Sequence, residues 1–163
     1  MDWVEAYDDE YVIAAAEQEG IEPVEAMVDF ILHLRKTARA ADPEFLLVAQ
    51  NAPYLLDLDR RYAKAIDAMA VEDTWFRGEA DADWDDKDGG DLPNKYDDEY
   101  ATPRLIQQYH KYRKLGLPVF TCDYCLKQGN AQKVYQASRA QGFVPLVTRV
   151  SLARMTETPP PGY

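Results

Sequence analysis

The chain has 163 residues, which is enough for one domain to bury a core without disulfide or metal cross-links. Apolar residue types make up 47% of the chain and charged types 29%, as in globular rather than disordered proteins. With 29 acidic and 18 basic residues the formal charge is −11, which argues against nucleic acid or an anionic membrane surface as the main partner. No apolar run has the length of a membrane span, and the first residues as written predict no export leader.

The first half of the sequence alternates between strand and helix patterns. Residues 2–7 predict the end of a strand that runs into an acidic loop. Helical spacing of apolar residues predicts a helix over 23–38, with a proline in its first turn. The apolar run 45–49 predicts a buried strand, 54–64 a short helix, and 66–71 a second apolar strand.

The second half continues the alternation after a long polar loop over 75–102. A helix is predicted from Pro103 to the stop at Gly116, followed by a strand over 118–121, a helix over 132–141 and a strand over 143–147. Helix-length connections between strands predict an α/β fold with parallel strands and right-handed crossovers. Alternation alone leaves an open sheet and a barrel equally possible.

Polar residues follow each predicted strand. Because parallel strands place their carboxyl ends on one side, these side chains are expected at one rim of the sheet. Each residue taken alone is more simply a turn former at a strand end. As a set they provide what a carboxylate active site needs, one group to protonate a leaving oxygen and another to attack or to activate water. The set is Asp2, Asn51, Glu72, Asp73, Asp123 and Tyr124.

Short motifs in a fixed order resemble the endo-α-1,4-polygalactosaminidase family of glycoside hydrolases from Asp2 to about Leu152. They are Asp-Trp-Val-Glu-Ala-Tyr at 2–7, Glu-Ala-Met at 25–27, Val-Ala-Gln-Asn at 48–51, Ala-Val-Glu-Asp-Thr-Trp-Phe at 70–76, Pro-Val-Phe-Thr-Cys-Asp-Tyr at 118–124 and Gly-Phe-Val-Pro at 142–145.

The resemblance implies a TIM barrel that hydrolyses galactosamine-containing polysaccharides without an organic cofactor or a metal. It implies Asp2 and Glu72 as catalytic carboxylates, and Asn51, Asp73, Asp123 and Tyr124 as sugar-binding residues. The family is usually exported, which implies a secreted or periplasmic protein if an export signal lies upstream.

The resemblance covers only the later part of the barrel, from about the end of the fourth strand to the eighth. We therefore expect one partial barrel domain over 1–155 and a proline-rich tail over 156–163. A partial barrel leaves two strand edges and one face uncovered, so a truncated product, a second chain that completes the barrel, and a rearranged open sheet are the alternatives. A non-catalytic polysaccharide-binding remnant is the rival function. A flavodoxin-like sheet is disfavoured because no glycine-rich phosphate loop follows a strand.

Two other patterns carry chemistry less directly. Cys122 and Cys125 have the CxxC spacing, but packing is the simpler interpretation because a zinc site lacks further ligands. The aspartates over 81–91 resemble a calcium loop without its glycine and final glutamate, so a solvated acidic loop is favoured. If the loop overhangs the sugar site, its aromatic residues can stack on sugar faces, with Trp75 first among Trp75, Trp84, Tyr96 and Tyr100.

Overall fold

A computed structural model describes residues 4–154, and the predicted catalytic Asp2 and the proline-rich tail lie outside this range. Its centre is a four-stranded parallel sheet. The described strands are β1 Val48–Gln50, β2 Ala68–Glu72, β3 Phe76–Arg77, β4 Leu92–Pro93, β5 Val119–Tyr124 and β6 Val144–Thr148. The central sheet has the order β1-β2-β5-β6, and β3 and β4 form a separate antiparallel hairpin. The predicted α/β class with parallel strands is confirmed.

Helices connect these strands. A 3₁₀ helix spans Val4–Asp8, and the α-helices are α1 Glu10–Glu19, α2 Pro23–Ala41, α3 Leu55–Leu58, α4 Tyr62–Ala65, α5 Thr102–Lys114 and α6 Gln128–Ala140. Proline occupies the first turn of α2 and of α5, where a missing N–H has no consequence. Among residues 4–154, no helix is long and apolar enough to cross a membrane.

The amino-terminal segment differs from its prediction. Residues expected to end a strand and enter an acidic loop form the 3₁₀ helix and α1 instead. Asp9 caps α1, since its Oδ1 accepts hydrogen bonds from the backbone N–H of Tyr11 and Val12 at 2.9 and 3.1 Å. Gly20, with φ 66°, ends the helix. The helix was missed because Ala16 is its one buried residue, so it has no apolar stripe to recognise.

Two further segments are more divided than predicted. The short helix expected over 54–64 is two single-turn helices, α3 and α4, separated by residues 59–61. The loop expected over 75–102 contains the β3–β4 hairpin, and its remainder is built from turns.

The two faces of the central sheet have different surroundings. One face packs under the helices, where Met69, Val71 and Val119 join Ile31 and Tyr112 in the main core. Side chains alternate between faces, so the neighbouring positions point to the other side. That second face, which we call the open face, includes Phe120, Val144 and Leu146, whose exposed fractions are 37%, 48% and 44%. Such a face is the counterpart of a barrel interior.

Candidate active site

A cleft of about 410 Å³ lies at the carboxyl ends of β1 and β2. Its walls combine four acidic side chains with five tyrosines, and within the part of the chain that the structure describes no lysine, arginine or histidine lines it. The acidic residues are Glu5, Asp8, Glu72 and Asp73, and the tyrosines are Tyr7, Tyr54, Tyr96, Tyr100 and Tyr109. The cleft is therefore rich in acidic and aromatic side chains, both of which attract cations.

Glu72, the last residue of β2, is held from two neighbouring strands. Gln50 at the end of β1 donates from Nε2 to Glu72 Oε1. The hydroxyl of Tyr124, at the end of β5, hydrogen-bonds the same carboxylate. The register pairs Ala70 with both Gln50 and Phe120 and pairs Glu72 with Cys122, so Gln50, Glu72 and Tyr124 share the open face. Two hydrogen-bonding partners fix the orientation of the Glu72 carboxylate at the rim of the sheet.

Asn51 reaches Glu72 through its backbone conformation. Asn51 has a left-handed φ of 58°, and its side-chain Oδ1 accepts a hydrogen bond from the backbone N–H of Glu72 at 3.3 Å. Its own N–H donates to the carbonyl of Ala70 at 2.8 Å. The ends of β1 and β2 are thus tied together where the cleft begins.

Asp73 lines the cleft beside Glu72 and is partly buried. Burial raises its pKa to about 7, and the nearby carboxylates of Glu72 and Asp123 add to the effect, against a smaller opposing influence of Arg77. Its Oδ1 is buried without a hydrogen-bond partner. A fraction of the Asp73 carboxyl groups is therefore protonated at neutral pH, and the neutral form can donate a hydrogen bond.

Asp123 lies on the other face of the sheet and is fully buried. Its Oδ1 accepts hydrogen bonds from the backbone N–H groups of Trp75 and Phe76 at 2.6 and 2.9 Å. Burial raises its pKa to about 6, although these two hydrogen bonds act in the opposite direction. Asp123 is placed to hold the start of the loop after β2, and it does not line the cleft.

The structure therefore brings together only part of the predicted set. Asn51, Glu72 and Asp73 line the cleft, and Tyr124 contacts it through Glu72. Asp123 stands behind the cleft wall. Trp75 is half-buried and packs against both hydrophobic clusters rather than lining the cleft. The expectation that every polar strand end points to one mouth is wrong for Asp123, because β5 presents Asp123 to the helix-covered face.

Several cleft residues were not predicted as site residues. Glu5, Tyr7 and Asp8 belong to the 3₁₀ helix, and Tyr54 precedes α3. Tyr109, on α5, is buried yet also lines the cleft. Asn94, which joins the cleft wall from the loop after β4, carries no recognisable motif. In the sequence, the aromatic residues of the 75–102 loop are the one pattern that indicates the part of the cleft wall formed by Tyr96 and Tyr100.

Cys122 lies in β5, and Cys125 directly follows that strand. Cys122 and Cys125 are free, and burial raises the pKa of each thiol to about 12, so both remain protonated at neutral pH. Between residues 4 and 154 no group of three His, Cys, Asp or Glu side chains is arranged to hold a metal ion.

Comparison with known proteins gives a fold and one distant relative. No protein-family model matches the chain. An uncharacterized protein of Deinococcus radiodurans is 26% identical over 129 residues, which are 79% of this chain and 37% of that protein. The structure of the glycoside hydrolase domain of PelA from Pseudomonas aeruginosa matches 94% of this chain and 53% of that one, with a TM-score of 0.63 and 18% identity. The chain thus spans about half, or less, of the proteins that it matches, and it shares the fold of a glycoside hydrolase domain.

Proposed function

We propose that this chain is a glycoside hydrolase-like protein that cleaves O-glycosidic bonds in an amino-sugar polysaccharide of the galactosamine type. The observation that carries the proposal is the Glu72 carboxylate, fixed by Gln50 and Tyr124 at the rim of a cleft lined by acids and tyrosines. The fold that the chain shares with the PelA glycoside hydrolase domain supports it.

The composition of the cleft supports the substrate class. Tyrosine rings pack against the apolar faces of sugar rings, and an excess of acidic side chains attracts a protonated amine. Asn51 and Asp73 are the proposed hydrogen-bonding partners of the sugar inside the cleft. The predicted substrate-binding set also contains Tyr124, Asp123 and Trp75. In this proposal, Asp123 and Trp75 support the wall of the cleft from behind and do not contact the sugar.

The proposed reaction needs two carboxyl groups. One donates a proton to the leaving glycosidic oxygen as the bond to the anomeric carbon breaks, and the other attacks that carbon or activates a water molecule. In sum, water adds its hydroxyl to the anomeric carbon and a proton to the leaving oxygen. We assign Glu72 to one role and Asp2, predicted from the sequence, to the other.

We include in the proposal that the open face takes the other half of a barrel. Residues 1–155 then act as one partial barrel domain, and its counterpart is a further polypeptide of parallel strands, either covalently attached or a second chain. Exposed Phe120, Val144 and Leu146 support this, as does the match to only 53% of the PelA domain. Enclosing this face would exclude water from the Glu72 carboxylate and strengthen its electrostatic effect.

The test is the substitution Glu72→Gln, which keeps the side-chain size but removes the ionisable group. Wild-type protein is expected to release reducing ends from a galactosamine polymer, and Glu72→Gln to lower that rate by at least about 100-fold, the range of a lost acid, base or nucleophile. The matched control is Glu44→Gln. Glu44 is exposed and precedes the amino end of β1, whereas the cleft lies at the carboxyl ends of the strands.

Two results would contradict the proposal. Undiminished turnover in Glu72→Gln would remove Glu72 from the mechanism. A wild-type protein that binds galactosamine oligosaccharides in calorimetry, yet releases no reducing ends, would replace hydrolysis with the rival function of polysaccharide binding.

A further inference from the structure

The side chain of Asn94 joins two separate backbone segments. Its Nδ2 donates to the carbonyl oxygens of Asp73 and Tyr100, both at 3.0 Å, and to that of Thr74 at 3.4 Å. Its Oδ1 accepts a hydrogen bond from the backbone N–H of Tyr96 at 3.0 Å. The amide orientation is set by these partners, since carbonyls can only accept and an N–H can only donate.

The segments that Asn94 joins form two walls of the cleft. One is the turn after β2, which follows Glu72 and contains Asp73. The other is residues 95–100, which we call the lip and which contributes Tyr96 and Tyr100 to the cleft. The backbone N–H of Asn94 also donates to the carbonyl of Trp75 at 2.9 Å, so the residue is anchored to the strand-end side.

The lip has little other attachment to the protein. Tyr96 and Tyr100 are 50% and 48% exposed, and their rings contact each other edge-to-face at a centroid distance of 6.5 Å. Tyr54 adds a second edge-to-face contact with Tyr100 and donates from its hydroxyl to the carbonyl of Glu99. Because few apolar contacts hold the lip, its distance from the carboxyl groups depends on hydrogen bonds. Asn94 supplies those within the lip and, just beyond it, Thr102 Oγ1 donates to the carbonyl of Thr74 at 2.7 Å.

We infer that Asn94 is a positioning residue, which sets the tyrosine lip against the Glu72–Asp73 turn and so fixes the width of the sugar cleft. The inference rests on the proposed function. Asn94 contacts backbone rather than reacting groups, so it acts through Tyr96 and Tyr100. Loss of the donor is expected to release the lip while leaving Glu72 and its partners Gln50 and Tyr124 in place.

The experiment compares three variants of the whole chain. Asn94→Ala removes every side-chain contact, and Asn94→Asp keeps the size and the acceptor for Tyr96 N–H but loses the donor to the three carbonyls. Asn130→Ala is the matched control, because Asn130 also donates from Nδ2 to a loop residue, Asp91, at 2.9 Å, away from the cleft. The readouts are hydrogen exchange of the lip amides and calorimetric affinity for a galactosamine oligosaccharide.

In Asn94→Ala and Asn94→Asp, we expect hydrogen exchange at the lip amides to be at least about tenfold faster than in wild type. We expect both variants to bind the oligosaccharide at least about tenfold more weakly. Asn130→Ala should change neither quantity. Where turnover is measured, KM should rise more than kcat falls. Unchanged lip exchange in both Asn94 variants, or equal effects in Asn130→Ala, would overturn the inference. If wild-type protein binds no oligosaccharide, the proposed function fails, and hydrogen exchange still decides whether Asn94 positions the lip.

Discussion

Three residues at the ends of β1 and β2 adopt left-handed backbone conformations although none of them is glycine. Asn51, Ala52 and Asp73 have φ values of 58°, 53° and 56°. Such conformations cost roughly 1 to 3 kcal/mol each for residues with a side chain, and they persist where the surroundings require them. Here they turn Asn51 toward Glu72 and bring Asp73 into the cleft wall beside it. The strain lies at the candidate active site.

Asp73 makes stability depend on pH. Its pKa is raised from 3.8 to about 7, so between these values the folded protein holds a proton that the unfolded chain has released. Stability therefore falls as the pH rises through this window. Asp73→Asn removes the titration, and we expect it to be more stable than wild type by about 1 to 2 kcal/mol at pH 8, after discounting for solvent in the cleft. The advantage should shrink toward pH 5.

Urea denaturation at pH 5 and pH 8 measures this difference. Asp57→Asn is the control, because Asp57 is an exposed residue whose carboxylate pairs with Lys111 away from the cleft. A gap between Asp73→Asn and wild type that is the same at both pH values would show that the Asp73 carboxyl is not held protonated. Burial also raises the pKa of Asp123, to about 6. In wild type and in Asp73→Asn alike, the free energy of unfolding therefore still falls somewhat as the pH rises.

At the scale of elements, the sequence predicts the strands better than their register. Apolar runs located β2 and β5, and their polar ends gave Glu72 and Asp123. The faces depend on a register that pairs Glu72 with Cys122, so Asp123 falls one position beyond this pair and points to the opposite face. A shift of one residue exchanges the two faces, and nothing within a single strand specifies it. The described polar strand ends therefore meet at one edge of the sheet, as expected, except that Asp123 points to the helix-covered face.

Helices were predicted where an apolar stripe faces the core. Leu105, Tyr109 and Tyr112 are buried along α5, and Val28 and Ile31 are buried in α2. The parts of the cleft that sequence patterns did not reveal lie on elements without such stripes. The 3₁₀ helix buries Val4 and Tyr7 in the core but is too short to show a period, and the lip depends on side-chain hydrogen bonds and tyrosine contacts, which leave no periodic signal.

The long loop after β2 docks on the sheet through a close backbone approach. A Cβ at Gly90 would lie 2.8 Å from the backbone carbon and oxygen of Tyr124, and Asp91 N–H donates to that same oxygen at 2.8 Å. Gly90→Ala therefore has to push the loop away from the end of β5. We expect it to destabilise the protein by about 1 to 3 kcal/mol and to weaken oligosaccharide binding, since Tyr124 contacts Glu72.

Gly129→Ala is the matched control for Gly90→Ala. Gly129 lies in α6, and a Cβ there meets nothing within 4 Å. Helical alanine is favoured over glycine, so this variant should gain up to about 1 kcal/mol in the free energy of unfolding. Thermal or urea denaturation of the two variants decides the question. Equal stability changes in both would show that the loop does not depend on close approach at Gly90.

At the scale of the whole molecule, the sheet is covered on one side and open on the other. The helix-covered face holds the main hydrophobic cluster, whereas the open face leaves Phe120, Val144 and Leu146 accessible beside the ordered row of Gln50, Glu72 and Tyr124. Contiguous exposed apolar side chains in a soluble protein mark a surface that contacts something else. The polar end of the open face, at Gln50, Glu72 and Tyr124, belongs to the candidate site. We propose that further strands pack on its apolar part.

A charged substitution on the open face tests whether this face contributes to folding of the chain or only to its association. Leu146→Lys places an ammonium group at a position that is already 44% exposed. The free energy of unfolding should therefore change by less than about 0.5 kcal/mol. Self-association of the protein, or binding of a hydrophobic dye, at this face should fall. Val147→Lys, one residue further along β6, buries its charge among Val134, Tyr135 and Cys125 and should destabilise the fold by more than about 3 kcal/mol. Urea denaturation and sedimentation velocity measure the two effects separately. If Leu146→Lys were as destabilising as Val147→Lys, the face would already be packed within this chain, and no further polypeptide would be needed to cover it.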